Sequence, residues 1–245
     1  MSARKSYGMW SDPPGLVYDV GMNNGDDSAY YLAKGLRVVG IDANPHCCAS
    51  CEIRFAREIT LGLMTVVNVG IGADQGRQDF FVNTSKDRIS TFLPEKFADK
   101  EWAPKDWEQV TVSVERLSAV IAKYGAPHFI KLDIEHLDNV ALLDLQAAAI
   151  RPPFLSAEAH SVDVHSSLCG MGYEKFKVVS GFEVADRFSD VAVLHADGTR
   201  LPYGFEYESS GPFGDDLPGP WLDADTALAE LRQRNFDWVD LHAAL

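Results

Sequence analysis

The sequence predicts an α/β protein with a mostly parallel sheet covered by helices on both faces. Three observations carry this. Short apolar runs alternate with helical segments along most of the chain, the pattern of strands joined by crossover helices. The first run, LVYDV at Leu16–Val20, passes through a turn bracketed by Gly21 and Gly25 directly into a helical segment. Several apolar runs end on an acid, as at Asp42, Asp133 and Glu158, where open α/β sheets place their ligands.

Residues 1–15 read as an irregular lead-in stopped by Pro13, Pro14 and Gly15. The first strand follows, with Asp19 near its end, then a helix over Asp27–Lys34 with Asp26 or Asp27 free to cap it. A second strand, Arg37–Ile41, ends in Asp42, and Pro45 opens a helix to about Glu58. Leu63–Asn68 is a third strand, and a turn at Asp74, Gln75 and Gly76 returns the chain through Gln78–Val82, a hairpin-like extension of the sheet. Residues 83–109 are polar and aperiodic but carry Phe92, Phe97, Trp102 and Trp107, which argues against disorder; a lid or acceptor-binding segment is expected, with a structural excursion as the alternative. Strands are expected at Val110–Val114, Pro127–Asp133, Pro153–Ala157, Tyr173–Val179 and Val191–His195, with helices at Glu115–Tyr124, Leu137–Ala148 and Val162–Cys169. One late strand is expected to run antiparallel. A Gly- and Pro-rich loop spans 198–222. Residues 223–245 close the chain with a helix over Asp223–Asn235, capped by Asp223 or Asp225, and a short aromatic tail.

The 245 residues, 46% of them hydrophobic, suffice for one substantial core, so 1–245 reads as one domain. A net charge of -14 opposes nucleic acid and anionic membranes, whose phosphates need concentrated Lys and Arg. No apolar run approaches the roughly 18 residues of a membrane span, and the lead-in lacks the apolar core of a signal peptide. A cytoplasmic protein is expected. Cys47, Cys48 and Cys51 with His46 invite a zinc reading. Structural zinc takes four ligands, usually from two separated pairs, and the only distant thiol is Cys169, so buried reduced thiols are expected.

Reading the expected strand ends gives Asp19 through Gly25, Asp42, Asn68 through Gly72, Asp133 through His136, and Glu158 with His160. A dinucleotide fingerprint needs a third glycine, and Asp26 and Asp27 stand where its pyrophosphate would lie. Acids there suit a cationic, phosphate-free ligand such as S-adenosylmethionine, with Asp42 placed to accept from ribose hydroxyls.

The segments VYDVGMNNGDDSAYYL, VVGIDANP, IKLDIEHLDNV and SAEAH together resemble the FkbM-type family of class I S-adenosylmethionine-dependent methyltransferases, over roughly residues 16–160. The resemblance implies a Rossmann-like, seven-stranded sheet and, mostly, O-methylation of small molecules such as sugars or natural products. It implies that Asp19, Gly21, Asn23 and Gly25 cradle the methionine portion of the cofactor. Asp42 would hold the ribose, Ala43 or Asn44 would lie beside the adenine, and Gly70 and Ile71 would flank its ring. Asp133 and Glu135 would face the cofactor's amino group and the acceptor. Two positions depart from the family pattern. Met22 stands where a small residue is common, and His136 stands where glycine is usual.

Methyl transfer to an alcohol needs a base or a metal, because a protonated hydroxyl is a poor nucleophile. His136 is the best-placed base, with Glu135 and Asp133 as alternatives. A divalent cation would draw on Asp133, Glu135, Glu158 and His160, an oxygen-rich set suited to magnesium, although no ligand spacing demands one. The expected partner is a small-molecule acceptor, and the aromatic loops and tail leave a homodimer open. Carboxyl or amine methylation, a non-catalytic cofactor- or partner-binding module, and an NAD-dependent oxidoreductase are the competing readings.

Overall fold

In the computed structural model, the residues described are 15–98, 100, 106–189, 191–195, 198–207 and 209–245. The expected lead-in, up to residue 14, and Trp102 lie outside them. The strands are β1 (Leu16–Val20), β2 (Arg37–Asp42), β3 (Met64–Asn68), β4 (Gly70–Ile71), β5 (Gly76–Asn83), β6 (Trp107–Glu115), β7 (Phe129–Leu132), β8 (Phe154–Glu158), β9 (Lys175–Ser180), β10 (Ala192–Leu194), β11 (Arg200–Pro202) and β12 (Val239–Ala244). The helices are α1 (Asp26–Ala33), α2 (Pro45–Arg54), α3 (Ala56–Thr60), α4 (Leu117–Tyr124), α5 (Asp138–Ala147), α6 (Val162–Gly170), α7 (Val184–Arg187) and α8 (Ala224–Gln233).

The main sheet has seven strands in the order β3-β2-β1-β7-β8-β12-β9. The pairings among β3, β2, β1, β7 and β8 are parallel, while β12 runs antiparallel to both β8 and β9. Strand alternation sends Leu16, Tyr18 and Val20 to one face, where α4, α5, α6 and α8 bury them. Val17, Val38 and Phe129 point to the other face, under Tyr30 and Tyr31 of α1 and Cys48 and Cys51 of α2.

Four expectations are corrected. The hairpin expected to extend the main sheet instead forms a separate three-stranded sheet, β4-β6-β5, and it takes the 110–114 strand with it. Among the described residues, the 191–195 strand pairs with β11 in a small hairpin and not with the main sheet. The aromatic tail contains β12, the antiparallel strand of the main sheet, which sequence periodicity missed. The expected helix after Pro45 also breaks at Phe55 into α2 and α3.

Helix ends follow local chemistry. Asn44 accepts from the His46 N–H with Pro45 at the first helical position, and Asp223 accepts from the Thr226 N–H. The cap of α1 is Gly25 at φ 82°, so Asp26 and Asp27 occupy its first turn rather than its cap. The 198–222 loop closes the α1 face in place of a helix: Phe205, Phe213 and Leu217 are buried, and the Phe213 ring stacks on Phe129 at 4.0 Å. Ser210 donates through its N–H to Asp27, and Asp216 pairs with Lys34 and accepts from Tyr30.

A row of polar residues crosses this face. Register pairs Asp19 with Lys131, Lys131 with Ser156, Ser156 with His242, and His242 with Lys177, all buried. Burial, then the Lys177 charge, pulls the His242 pKa down to about 3. The unfolded chain takes up this proton near pH 6.5 and the folded protein does not, so His242 costs stability as pH falls below 6.5. Between pH 7 and pH 5 the cost is about 2 kcal/mol. Chemical denaturation of His242→Leu should show that much less loss of stability over this interval than the wild type. Equal losses would contradict the assignment.

Candidate functional site

The site forms along the carboxyl ends of β1, β2, β7 and β8. The turn after β1 is built by close packing. Gly21 and Met22 both donate their N–H groups to the Ile41 carbonyl, at 2.9 and 3.1 Å. Gly21 has φ 82°, and a Cβ there would lie 1.8 Å from the Asp133 carbonyl oxygen, so no side chain fits. Met22 is buried with its sulfur over Gly40, where a Cβ would lie 2.4 Å from it. The missing side chain at position 40 is what makes room for the larger residue at 22. Asn23 adopts φ 46° and donates its N–H to Asp42 Oδ2 at 2.8 Å, while the Asn44 N–H reaches Asp42 Oδ1 at 2.7 Å. Asp42 is thus fixed between the two turns. Beneath them the Cys51 thiol donates to the Asn23 carbonyl and the Cys48 thiol to the Asp42 carbonyl. Burial pushes the Cys51 thiol up to about 12, so these groups are structural thiols, as the sequence suggested.

Under the turn lies an ion cluster centred on Lys131. Its ammonium stands 3.5 Å from Asp19, 3.2 Å from Asp27 and 3.3 Å from Asp133, and donates to the Gly21 carbonyl. Burial lowers the Lys131 pKa, but the surrounding carboxylates, Asp133 first, hold it well above its usual value. Asp19 is fully buried and accepts from Ser28 Oγ at 2.6 Å; burial, opposed by Lys131, raises its pKa to about 6.

A cavity of about 600 Å³ opens above these groups. Of the residues singled out from sequence, Gly21, Asn23, Asp42, Ala43, Gly70, Ile71, Asp133, Glu135, His136, Glu158 and His160 line it. Asp19, Gly25 and Asn44 do not. Asp19 is a counter-ion of Lys131, Gly25 caps α1, and Asn44 caps α2. Sequence reasoning passed over Lys131, whose signal was a single cation inside an otherwise apolar strand. It also missed the aromatic lining from Phe182, Tyr207, Phe236 and Trp238.

At the far end of the cavity, Glu135 and His136 follow β7 at φ 51° and 76°, a left-handed pair that aims both side chains inward. The His136 ring lies 3.9 Å from that of His160 and 5.7 Å from Phe97. Burial and the neighbouring His160 pull His136 down to about 4, so its imidazole is neutral at pH 7. His160 Nε2 lies 2.9 Å from Glu158 Oε2. Burial drives Glu158 and Glu135 well above the usual carboxylate range, assisted by Asp133 at the first and by Glu158 at the second. Glu135, Glu158 and His160 each bring one donor atom within 4.8 Å of the others. Asp133, the fourth residue of the metal set read from sequence, pairs with Lys131.

Among the described residues, no helix is long and apolar enough to cross a membrane. Residues 19–167 match the family model described as the methyltransferase FkbM domain. Solved structures similar to the chain include a methyltransferase FkbM from Methylobacillus flagellatus KT. That match has 19% identity and a TM-score of 0.48, over 68% of this chain and 40% of that one. They also include a precorrin-6y C5,15-methyltransferase from Geobacter metallireducens GS-15, at 11% identity and TM-score 0.36 over 68% of each chain. The [4+2]-cyclase SpnF matches at 11% identity and TM-score 0.38, over 94% of this chain and 74% of that one. The chain therefore spans less than half the length of the first of these structures. No curated protein matches it.

Proposed function

The chain belongs to the FkbM methyltransferase family, and from that premise we propose that it methylates a hydroxyl of a small polar metabolite, using S-adenosylmethionine. The observation that carries this reading is one continuous cavity lined both by the fixed Asp42 turn and by the neutral His136 imidazole. The residues present fit the cofactor. Asp26, Asp27, Asp42 and Asp133 line the cavity on the turn side, a negative field that favours an ammonium and a sulfonium and repels pyrophosphate. Ala43, Gly70 and Ile71 offer the small and apolar surface that suits an adenine ring.

In this reading Asp42 accepts from the ribose hydroxyls, and Asp133 and the Gly21 turn hold the amino-acid end. Asp19 positions that turn from outside the cavity, and Lys131, which reaches the lining, fixes Asp27 and Asp133. Bound there, S-adenosylmethionine supplies an electrophilic methyl group on a positively charged sulfur. His136 accepts the proton of the acceptor hydroxyl as its oxygen bonds to that methyl carbon. The cofactor, held by Asp42, Asp133 and the Gly21 turn, would supply that methyl carbon from its sulfonium and would be left with a neutral thioether sulfur. His160, held 2.9 Å from Glu158, packs its ring 3.9 Å from that of His136 and keeps it in place.

The test is product formation. Labelled S-adenosylmethionine with hydroxylated acceptors should give equal amounts of S-adenosylhomocysteine and methyl ether. Carboxyl esters or methylated amines in place of ethers would replace the acceptor class. In the same protein, Asp42→Ala should weaken S-adenosylhomocysteine binding at least about tenfold, because a charged acceptor of two ligand hydrogen bonds is lost. Unchanged affinity would remove Asp42 from the ribose site.

A further inference from the structure

The cavity is acidic at the turn after β1, where Lys131 pairs with Asp27 and Asp133, yet three further cations, Lys86, Arg88 and Lys100, also line it. All three belong to the segment between β5 and β6. The segment's acids whose side chains are described, Glu95 and Asp106, are exposed and stand outside the lining. The cations act on the reactive end of the site. The charges of Lys96 and Lys100 both lower the pKa values of His136 and His160, and the charge of Arg88 acts on Glu135.

The same cavity has an aromatic portion. Trp238 meets Phe182 edge-on at 4.7 Å and Tyr207 at 5.6 Å. Trp238 is seated on Gly181, where a Cβ would lie 2.3 Å from its ring, so this aromatic surface depends on a missing side chain. Phe182 and Tyr207 remain 54% and 58% exposed, which leaves ring faces open at the cavity. Flat apolar faces of this kind bind the faces of sugar or aromatic rings, and clustered Lys and Arg bind carboxylate and phosphate.

We propose that the methyl acceptor is a hydroxylated ring compound bearing an anionic group, a carboxylate or a phosphate. Its ring packs on Phe182, Tyr207 and Trp238, and its anion is held by Lys86, Arg88 and Lys100. The hydroxyl is thereby directed to His136, and the two turn-side and acceptor-side fields sort a cationic cofactor from an anionic acceptor. The acceptor role rests on the methyl-transfer reading above. The anion site itself does not.

The experiment is calorimetric titration of matched probes into protein loaded with S-adenosylhomocysteine, at low and at physiological salt. The probes are glucose, glucuronate and glucose 6-phosphate, together with catechol and 3,4-dihydroxybenzoate. At least one anionic probe is expected to bind ten times more tightly than its neutral partner, with an advantage that shrinks as salt rises. Whether carboxylate or phosphate carries the advantage names the source. The triple variant Lys86→Gln/Arg88→Gln/Lys100→Gln should lose the advantage and keep its affinity for S-adenosylhomocysteine. Lys100→Gln alone, at an exposed position, should lose part of it. The proposal falls if no anionic probe outbinds its neutral partner in the wild type, or if the triple variant keeps the preference. Failure of S-adenosylhomocysteine to bind would instead sink the cofactor reading, and the probe pairs would then be read on unloaded protein.

Discussion

Lys131→Met is expected to cost the fold about 3–5 kcal/mol at pH 8. The substitution keeps most of the side-chain volume and removes the one ammonium that stands within 3.5 Å of Asp19, Asp27 and Asp133. Three carboxylates would then face one another with no cation between them, and the fully buried Asp19 would resist ionisation. The direction of the pH dependence follows. Without Lys131 the pKa of Asp19, already raised by burial to about 6, rises further above its unfolded value near 3.9, so folding favours its protonated form. The variant should recover stability as the pH falls toward 4 and lose it as the pH rises toward 8. Urea denaturation of wild type and variant at pH 5 and pH 8 measures this. A loss below about 1 kcal/mol at pH 8 would mean that the cluster contributes little to the fold.

His136→Gln is expected to lower kcat by about 10²- to 10⁴-fold, the usual range for a lost general base, while S-adenosylhomocysteine affinity stays within about threefold. Glutamine can still hydrogen-bond a hydroxyl but cannot take its proton. A structural role would move cofactor affinity or stability together with kcat, and that split is the diagnostic. The measurement belongs with and without chelator. If chelation alone abolished wild-type turnover, hydroxyl activation would pass from His136 to a cation held by Glu135, Glu158 and His160, whose donor atoms stand within 4.8 Å of one another.

The parts of the fold most legible in the sequence were those whose residues carry their own reason. The β1 turn announces itself because two of its positions tolerate only glycine, Gly21 against the Asp133 carbonyl and Gly25 against Phe55. The capped starts at Asn44 and Asp223 are local hydrogen-bonding choices, so they survive in any tertiary context. The β12 strand was hidden because Asp240 and His242 interrupt its apolar pattern. Both are buried on the α1 face, where the polar row from Asp19 to Lys177 accommodates them, and that row exists only once the sheet is assembled. Strand partners were equally out of reach. Val110–Val114 has the same alternation whether it joins the main sheet or the β4-β6-β5 sheet.

The candidate site divides in the same way. Strand-end acids drew attention to the right region, yet Asp19 serves as a buried counter-ion while Asp42 lines the cavity, although both read as acids at or near the end of a strand. What separates them is Lys131, supplied by a strand more than a hundred residues later. The stretch 198–222 read as a loop, because it is rich in Gly and Pro. Most of its aromatic content packs over Tyr30, Tyr31 and Phe129, and Tyr207 and Ser209 are its members that line the cavity.

The central claim is that this cavity takes a cationic, phosphate-free adenosyl ligand. Calorimetric titration of S-adenosylmethionine, S-adenosylhomocysteine and NAD into the wild-type protein tests it directly. Micromolar binding of the two adenosyl compounds at one site per chain, with NAD weaker by at least about a hundredfold, is the predicted result. NAD binding with neither adenosyl compound bound would contradict the account, because pyrophosphate would then occupy a turn whose first helical residues are Asp26 and Asp27.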